Sequence, residues 1–354
     1  MPRSNVRCGY RAEIRVIFGD LAVAELTTKA AALHTEQAVA EVEGGGLDPI
    51  YEEALARKTD HLRINLENTV NGRGIDSGFG RYRFVHNTLP EIDLADVDCA
   101  MSLLGRELRA PLLISCMTGG TPAAGRINTA LAEAAGELGI AMGLGSGRAL
   151  LENDDTARWF EVRKHAPDAL LFANLGAVQL NLGVGIDDCR RLVERLDADA
   201  LVLHLNPLQE GLQPEGDTCF AGLQHRISEL CDDLDRPVIV KEVGWGLSPE
   251  VVDRLFAAGV SGVDVAGAGG TSWSEVERHR LDEPARQHVA SAFAGWGIST
   301  AESLRQARRV APTQPIIPLW RDPRRDRGSE GDRSRRQPRW DRRPVPVGRA
   351  PRHG

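Results

Sequence analysis

Between Pro111 and Ile317 the chain returns seven times to one pattern: a short apolar run closed by glycine or polar turn residues. The runs are 111–120, 139–148, 169–176, one opening at Ala200, 237–244, 262–271 and one opening at Pro315. They are apolar along their length rather than alternating, the pattern of strands buried on both faces. Helical spacing follows at 127–138, 156–165, 187–196 and 249–258. Strand, loop and helix in repetition predict a parallel sheet. Seven such starts favour an α/β fold of the (β/α)8 TIM-barrel type over an open doubly wound sheet.

Such a barrel takes about 250 residues, fewer than the 354 present. The expected organisation is an extension over 1–50, a barrel over 51–318 and a tail over 319–354. Within the extension, 22–43 is alanine-rich at helical spacing and ends at Gly44-Gly45-Gly46, with no motif. A genuine capping helix is the alternative there. The tail holds twelve arginines, five acids, five prolines and no lysine. It cannot supply an apolar strand, so strands seven and eight of the barrel are expected to be disrupted and the tail disordered. A basic nucleic-acid arm is the functional alternative. The whole-chain net charge of −7 argues against a nucleic-acid partner. No apolar run approaches the ~20 residues of a membrane helix. The N-terminus lacks a signal peptide's apolar core, which points to the cytoplasm. Six cysteines without CxxC spacing read as reduced thiols.

Polar residues fall where a barrel places its chemistry, at or just past strand ends. They are Thr118, Ser146, Asn174, His204, Gln209, Lys241 and Thr271. Each alone could be an ordinary loop residue; their phase with the strands is harder to dismiss. The run from Ala200 to Asp217 is the densest, delivering His204, Asn206, Gln209 and Glu210 within seven positions. Glu210 is an oxygen donor suited to Mg²⁺. Only four lysines occur, and one of them, Lys241, lies inside Val-Ile-Val-Lys-Glu-Val. An unpaired ammonium there would cost several kcal/mol, so either Glu242 or a ligand must meet it. Alternation puts the two on opposite faces, which favours a ligand. Gly267, Gly269, Gly270 and Thr271 form a turn able to hold a phosphate. Upstream, a helix is expected over 49–67, with Arg57 and His61 on one face and Lys58 beside them. The trio suits a diphosphate; a solvated basic face is the alternative.

From about Arg57 to Glu277 the chain resembles the type 2, FMN-dependent isopentenyl-diphosphate isomerases. The resemblance rests on eight pieces in order: Arg57-Lys58-x-x-His61, 117–120 (Met-Thr-Gly-Gly), Gly145-Ser146-x-Arg148, 174–177 (Asn-Leu-Gly-Ala), 204–210 (His-Leu-Asn-Pro-Leu-Gln-Glu), 213–217 (Gln-Pro-Glu-Gly-Asp), 240–244 (Val-Lys-Glu-Val-Gly) and 268–273 (Ala-Gly-Gly-Thr-Ser-Trp). It implies an FMN barrel interconverting isopentenyl and dimethylallyl diphosphate for isoprenoid biosynthesis. Flavin reduced by NADPH would move the proton, and Mg²⁺ would bind with substrate. Carried over by motif, Met117, Thr118, Gly119, Ser146, Asn174, Lys241 and Thr271 would hold FMN. Arg57, Lys58, His61, Ser146, Arg148, His204, Asn206, Gln209 and Trp273 would meet substrate, and Glu210 would bind Mg²⁺. Gln209, His204 and Lys241 are the catalytic candidates. The family is usually oligomeric, so a homo-oligomer is expected.

After Pro315-Ile316-Ile317 the pattern is lost. The family continues with a Gly-Gly-Ile-Arg turn and an eighth strand. Permitted codons for 320–325, read one nucleotide later, can spell Gly-Gly-Ile-Arg-Asp-Gly, so a frameshift near Pro318 is inferred. Two rivals stand beside the isomerase: an FMN barrel of the 2-hydroxy-acid oxidase kind, and an inactive truncated remnant.

Overall fold

The computed structural model describes residues 49–117 and 119–319. Thr118, the extension up to 48 and the tail from 320 lie outside the described residues, and with them most of the expectations for 1–50 and 319–354.

The chain opens with helix α1 (Pro49–Glu67), on the span expected for it. An antiparallel hairpin follows, β1 (Met101–Leu103) and β2 (Arg106–Leu108). Seven parallel strands succeed it: β3 (Leu113–Ile114), β4 (Ala141–Gly143), β5 (Leu171–Gly176), β6 (Ala200–Leu205), β7 (Val238–Glu242), β8 (Gly262–Asp264) and β9 (Ile316–Ile317). They lie side by side in chain order. Between them run α2 (Pro122–Leu138), α3 (Arg148–Glu152), α4 (Ile186–Arg195), α5 (Pro207–Leu212), α6 (Leu223–Asp233), α7 (Pro249–Ala257), α8 (Trp273–Arg280), α9 (Pro284–Ala292) and α10 (Thr300–Val310). Sequential parallel order with alternating helices is that of a (β/α)8 barrel with its closure disrupted, as the seven apolar runs predict.

Side-chain alternation divides the core in two. Met142, Leu171, Ala173, Leu201, Leu203, Val238, Val240 and Val263 face the helices. Ala141, Phe172, Ala200, Val202, Ile239 and Ile317 form the inner cluster, which Leu103 and Leu108 of the hairpin plug. Burying a side chain such as Phe172 is worth about 2–3 kcal/mol.

Local chemistry sets the boundaries. Thr121 caps α2 by accepting from the Ala124 N–H at 3.0 Å, and Pro122 occupies the first turn. Gly139 ends α2 at φ 64, a left-handed value glycine adopts freely. Small residues on the buried face of α2 (Ala124, Ala132, Ala135) let it approach the sheet closely.

Two local expectations fail. The helix expected at 156–165 is instead a pair of 3₁₀ segments, Asp154–Trp159 and Arg163–His165. Phe160 and Val162 are both buried, and an α-helix cannot turn residues two apart into one core. The hairpin was not expected at all. Its loop is Leu104-Gly105 with φ 49 and 79, a turn in which Asn rather than Leu is the usual first residue.

Candidate active site

The strand register sets His204, Lys241 and Asp264 side by side at the upper edge of the apolar inner cluster. Gly176 pairs with His204, His204 with Lys241, Lys241 with Asp264, and Asp264 with Ile317, across five adjacent strands. These positions share the inward face at the C-terminal ends of the strands, where a barrel puts its chemistry.

Lys241 does not wait for a ligand alone. Its Nζ lies 3.4 Å from Asp264 Oδ2 and donates to the Glu242 backbone oxygen at 2.9 Å. Both side chains of the pair are 4% exposed. Burial pushes the Asp264 carboxyl up, against the pull of Lys241. The sequence offered Glu242 or a ligand as the partner; the structure supplies Asp264. Glu242 points the other way, as alternation requires. Its Oε2 accepts from the backbone N–H groups of Val243, Gly244, Trp245 and Gly246 at 2.5–3.1 Å. Burial nevertheless raises its carboxyl to about 7, these N–H groups opposing the shift.

His204 is pushed down to about 4, first by burial and then by the charges of Lys241 and Lys58. The neutral ring donates from Nδ1 to Asn174 Oδ1 at 2.9 Å, leaving Nε2 as an acceptor. Asn174 sits one layer below on β5 and also anchors the next loop, its backbone oxygen accepting from the Gly147 N–H at 2.7 Å.

A second centre forms around Glu277 on α8, which no sequence motif singled out. Its Oε1 meets His61 Nε2 at 3.0 Å, Gln209 Nε2 at 2.8 Å and Gln213 Nε2 at 2.7 Å. Its Oε2 pairs with Arg280 at 2.8 Å. Burial would raise this carboxyl, but hydrogen bonding to His61, Gln209 and Arg280 outweighs burial and brings it to about 2. A buried anion thus aims Gln209 and His61. Trp273 stands edge-on to the His61 ring, with centroids 5.1 Å apart.

Asn206 and Glu210 complete the β6–α5 turn. Asn206 Nδ2 donates to Gln209 Oε1 at 3.2 Å and to Glu210 Oε1 at 2.7 Å. Glu210 Oε2 accepts from the Asp217 N–H at 2.8 Å. Burial raises the Glu210 carboxyl despite these bonds and the nearby Arg57 charge. Among the described residues no cluster of three His, Cys, Asp or Glu groups could hold a metal ion.

The segment just past α1 is tied to the mouth by an antiparallel bridge between Asn71 and Thr271, with Gly72 N–H donating to Gly270 oxygen at 3.1 Å. Ile64, Val70 and Val276, with Trp273 against them, pack the helix down. Lys58 Nζ is buried and, among the described residues, meets no hydrogen-bond partner. Burial and the Arg57 charge lower it to about 8 against the opposing Glu152 carboxylate, with a smaller push from Arg148. It presses on the Gly-rich turn after β3, where a Cβ at Gly120 would collide with it. Arg148 is already engaged, by Glu152 at 2.7 Å and Asp217 at 2.6 Å.

The remaining expected residues are placed less tightly. Met117 is half exposed, Gly119 packs on Phe160, and Ser146 Oγ accepts from the Arg148 N–H at 3.4 Å. Asp264 could have been found from its sequence as the one acid in Gly-Val-Asp-Val-Ala. Glu277 could not, since its partners lie 64, 68 and 216 residues away.

The family of FMN-dependent dehydrogenases matches residues 56–170. An isopentenyl-diphosphate delta-isomerase of Synechocystis sp. is 56% identical over 261 residues, 74% of each chain. One of Nostoc sp. is 51% identical over 262 residues, 74% of this chain and 75% of its own. One of Rickettsia felis is 51% identical over 263 residues, 74% and 76% of the two chains. At this identity and coverage, the chain belongs to the type 2 isopentenyl-diphosphate delta-isomerase family.

Proposed function

We propose that the barrel mouth interconverts isopentenyl diphosphate and dimethylallyl diphosphate with the help of FMN. The observation that carries this is Lys58: a buried ammonium without a hydrogen-bond partner among the described residues, with Arg57 and Arg148 close enough to lower it. A site that crowds cations around a buried ammonium, with the Glu152 charge felt but no hydrogen-bond partner among the described residues, is built for an anionic ligand. Lys58, Arg57 and His61 would take the diphosphate, and Glu210 would share Mg²⁺ with its oxygens. Asn206 and Gln209 line the same turn, and Arg148 and Ser146 border it.

The donors present fit a flavin beside that anion site. Lys241 uses two contacts on Asp264 and the Glu242 carbonyl, leaving an N–H for an electron-rich ring edge. Lys241, Asn174, Ser146, Gly119, Met117 and Thr271 would hold the cofactor, together with Thr118. When bound and reduced by NADPH, FMN supplies a ring nitrogen that carries a proton. The protein's own groups do the rest. Glu277 holds Gln209 and His61 in place, His204 stays neutral and orients through Nε2, and Trp273 walls the mouth against water. Gln209, His204 and Lys241 are the groups set closest to the chemistry. A barrel over 51–318 acting in the cytoplasm as a homo-oligomer completes the proposal.

The test is an FMN titration of the purified chain, read by absorbance and flavin fluorescence, followed by an isomerase assay with dithionite-reduced flavin. Flavin binding with isomerisation supports the reading. Oxidation of lactate-like acids instead, or flavin binding without either activity, would overturn it.

A further inference from the structure

The guanidinium of Arg148 meets two carboxylates at once. Its Nε donates to Glu152 Oε1 at 2.7 Å and its Nη1 to Asp217 Oδ2 at 2.6 Å. One carboxylate is enough to hold an arginine in place. The second puts a further negative charge at a mouth whose basic groups are gathered for an anion. Asp217 is fixed by three elements. Besides Arg148 on α3, Gln179 of the β5–α4 loop donates from Nε2 to the same Oδ2 at 2.8 Å. The Asp217 N–H in turn holds Glu210 Oε2 of α5 at 2.8 Å. The Asp217 side chain is 25% exposed, so water screens its charge only in part.

Lys58 feels the charges of Arg57, Glu152 and Arg148, and Glu210 feels those of Arg57 and Asp217. Arg57, Lys58 and Arg148 therefore stand among the carboxylates Glu152, Asp217 and Glu210, cation for anion. His61 is matched separately by Glu277. A mouth that only attracted anions would keep its cations in excess. Here they are balanced before any ligand arrives. A metal-free diphosphate would add several negative charges beside the Glu210 and Asp217 carboxylates, and like charges brought together are costly. A diphosphate carrying Mg²⁺ brings its own compensation, and Glu210 then turns from a repelling group into a ligand.

We propose that Asp217, with Glu152 beside it, is a specificity-determining carboxylate that admits diphosphate only as its Mg²⁺ complex. The inference rests on the diphosphate reading of this mouth given above. It adds a selection that the binding residues alone do not make, since a site discriminates by what it repels as well as by what it attracts. Neither carboxylate is among the residues expected to meet substrate or metal. A purely structural Asp217 would need only its hydrogen bonds. Asp217→Asn keeps an acceptor oxygen for Arg148 and Gln179 and leaves the backbone N–H on Glu210 untouched. The substitution removes the charge and retains the contacts.

Isothermal titration calorimetry of the purified full chain reads the affinity for inorganic diphosphate twice, with EDTA and with excess Mg²⁺. The quantity compared is the ratio of the two dissociation constants within one variant. A merely structural loss weakens both affinities together and leaves that ratio unmoved. The unaltered chain should favour the Mg²⁺ complex. Asp217→Asn should tighten metal-free diphosphate and shrink the ratio at least about tenfold. Glu152→Gln removes the more exposed carboxylate and should shrink it about threefold. Asp235→Asn, at an exposed position ahead of β7 on the far end of the strands, should keep the original ratio. Circular dichroism checks each fold; if Asp217→Asn fails it, the Glu152→Gln ratio decides. An unmoved ratio in the two variants, or a ratio near one in the unaltered chain, overturns the inference and leaves the diphosphate reading standing. No diphosphate binding by the unaltered chain in either condition overturns that reading and this inference with it.

Discussion

Lys58 shows how a single side chain can set a pH profile. Its folded value of about 8 lies below the ordinary 10.5. Between those two values the unfolded chain therefore binds more protons than the folded one. Stability of the ligand-free protein should rise with pH across 8–10.5 and be depressed below 8. Lys58→Met should flatten that slope and raise the melting temperature at pH 7, while losing the stabilisation that inorganic diphosphate gives the unaltered chain. Scanning fluorimetry against pH, with and without diphosphate, checks both arms. Asp264 is the converse case, a buried anion whose value is its partner. Asp264→Asn should leave Lys241 buried against a neutral amide and cost about 3 kcal/mol. A urea midpoint unchanged from the original chain would rule that out. Lys241 was legible as a buried cation in a strand, because nothing else in 237–244 is cationic. Its partner was not, because register rather than sequence separation puts Asp264 beside it.

At the scale of the element, the turn after β7 is organised by one carboxylate. Four consecutive N–H groups converge on Glu242 Oε2. Glu242→Ala would leave these donors without their acceptor in a buried turn, at a cost of about 3 kcal/mol or more. Denaturation of this variant beside Glu242→Gln, which keeps one acceptor oxygen, separates the hydrogen-bond loss from the charge loss. Helix α1 was legible in outline because Pro49 stands where a helix can open. The stretch 154–165 was not, because the buried pair Phe160 and Val162 overrides local helical spacing. The hairpin was hidden by Leu104, whose left-handed backbone is tolerated because Leu103 and Leu108 are buried on either side of it.

Across the whole molecule, protection should follow the depth of strand pairing. β5, β6 and β7 pair over five or six residues each, and the edges β3 and β9 over two. Native-state hydrogen exchange should be slowest in the three central strands and fastest at the edges; edges as protected as the centre would contradict this ordering. The sequence by itself determined the parallel barrel architecture, the family, and the list of polar residues at strand ends. Those follow from local signals: apolar runs of strand length, turn glycines, and motifs of four to seven adjacent residues. Only the tertiary structure decided which of those residues are partners. Lys241 with Asp264, Glu277 with His61 and Gln209, and Lys58 with no hydrogen-bond partner among the described residues are consequences of register and helix docking. Hydrogen bonds and buried charges act over about 3 Å in space, a distance that spacing along the chain does not encode.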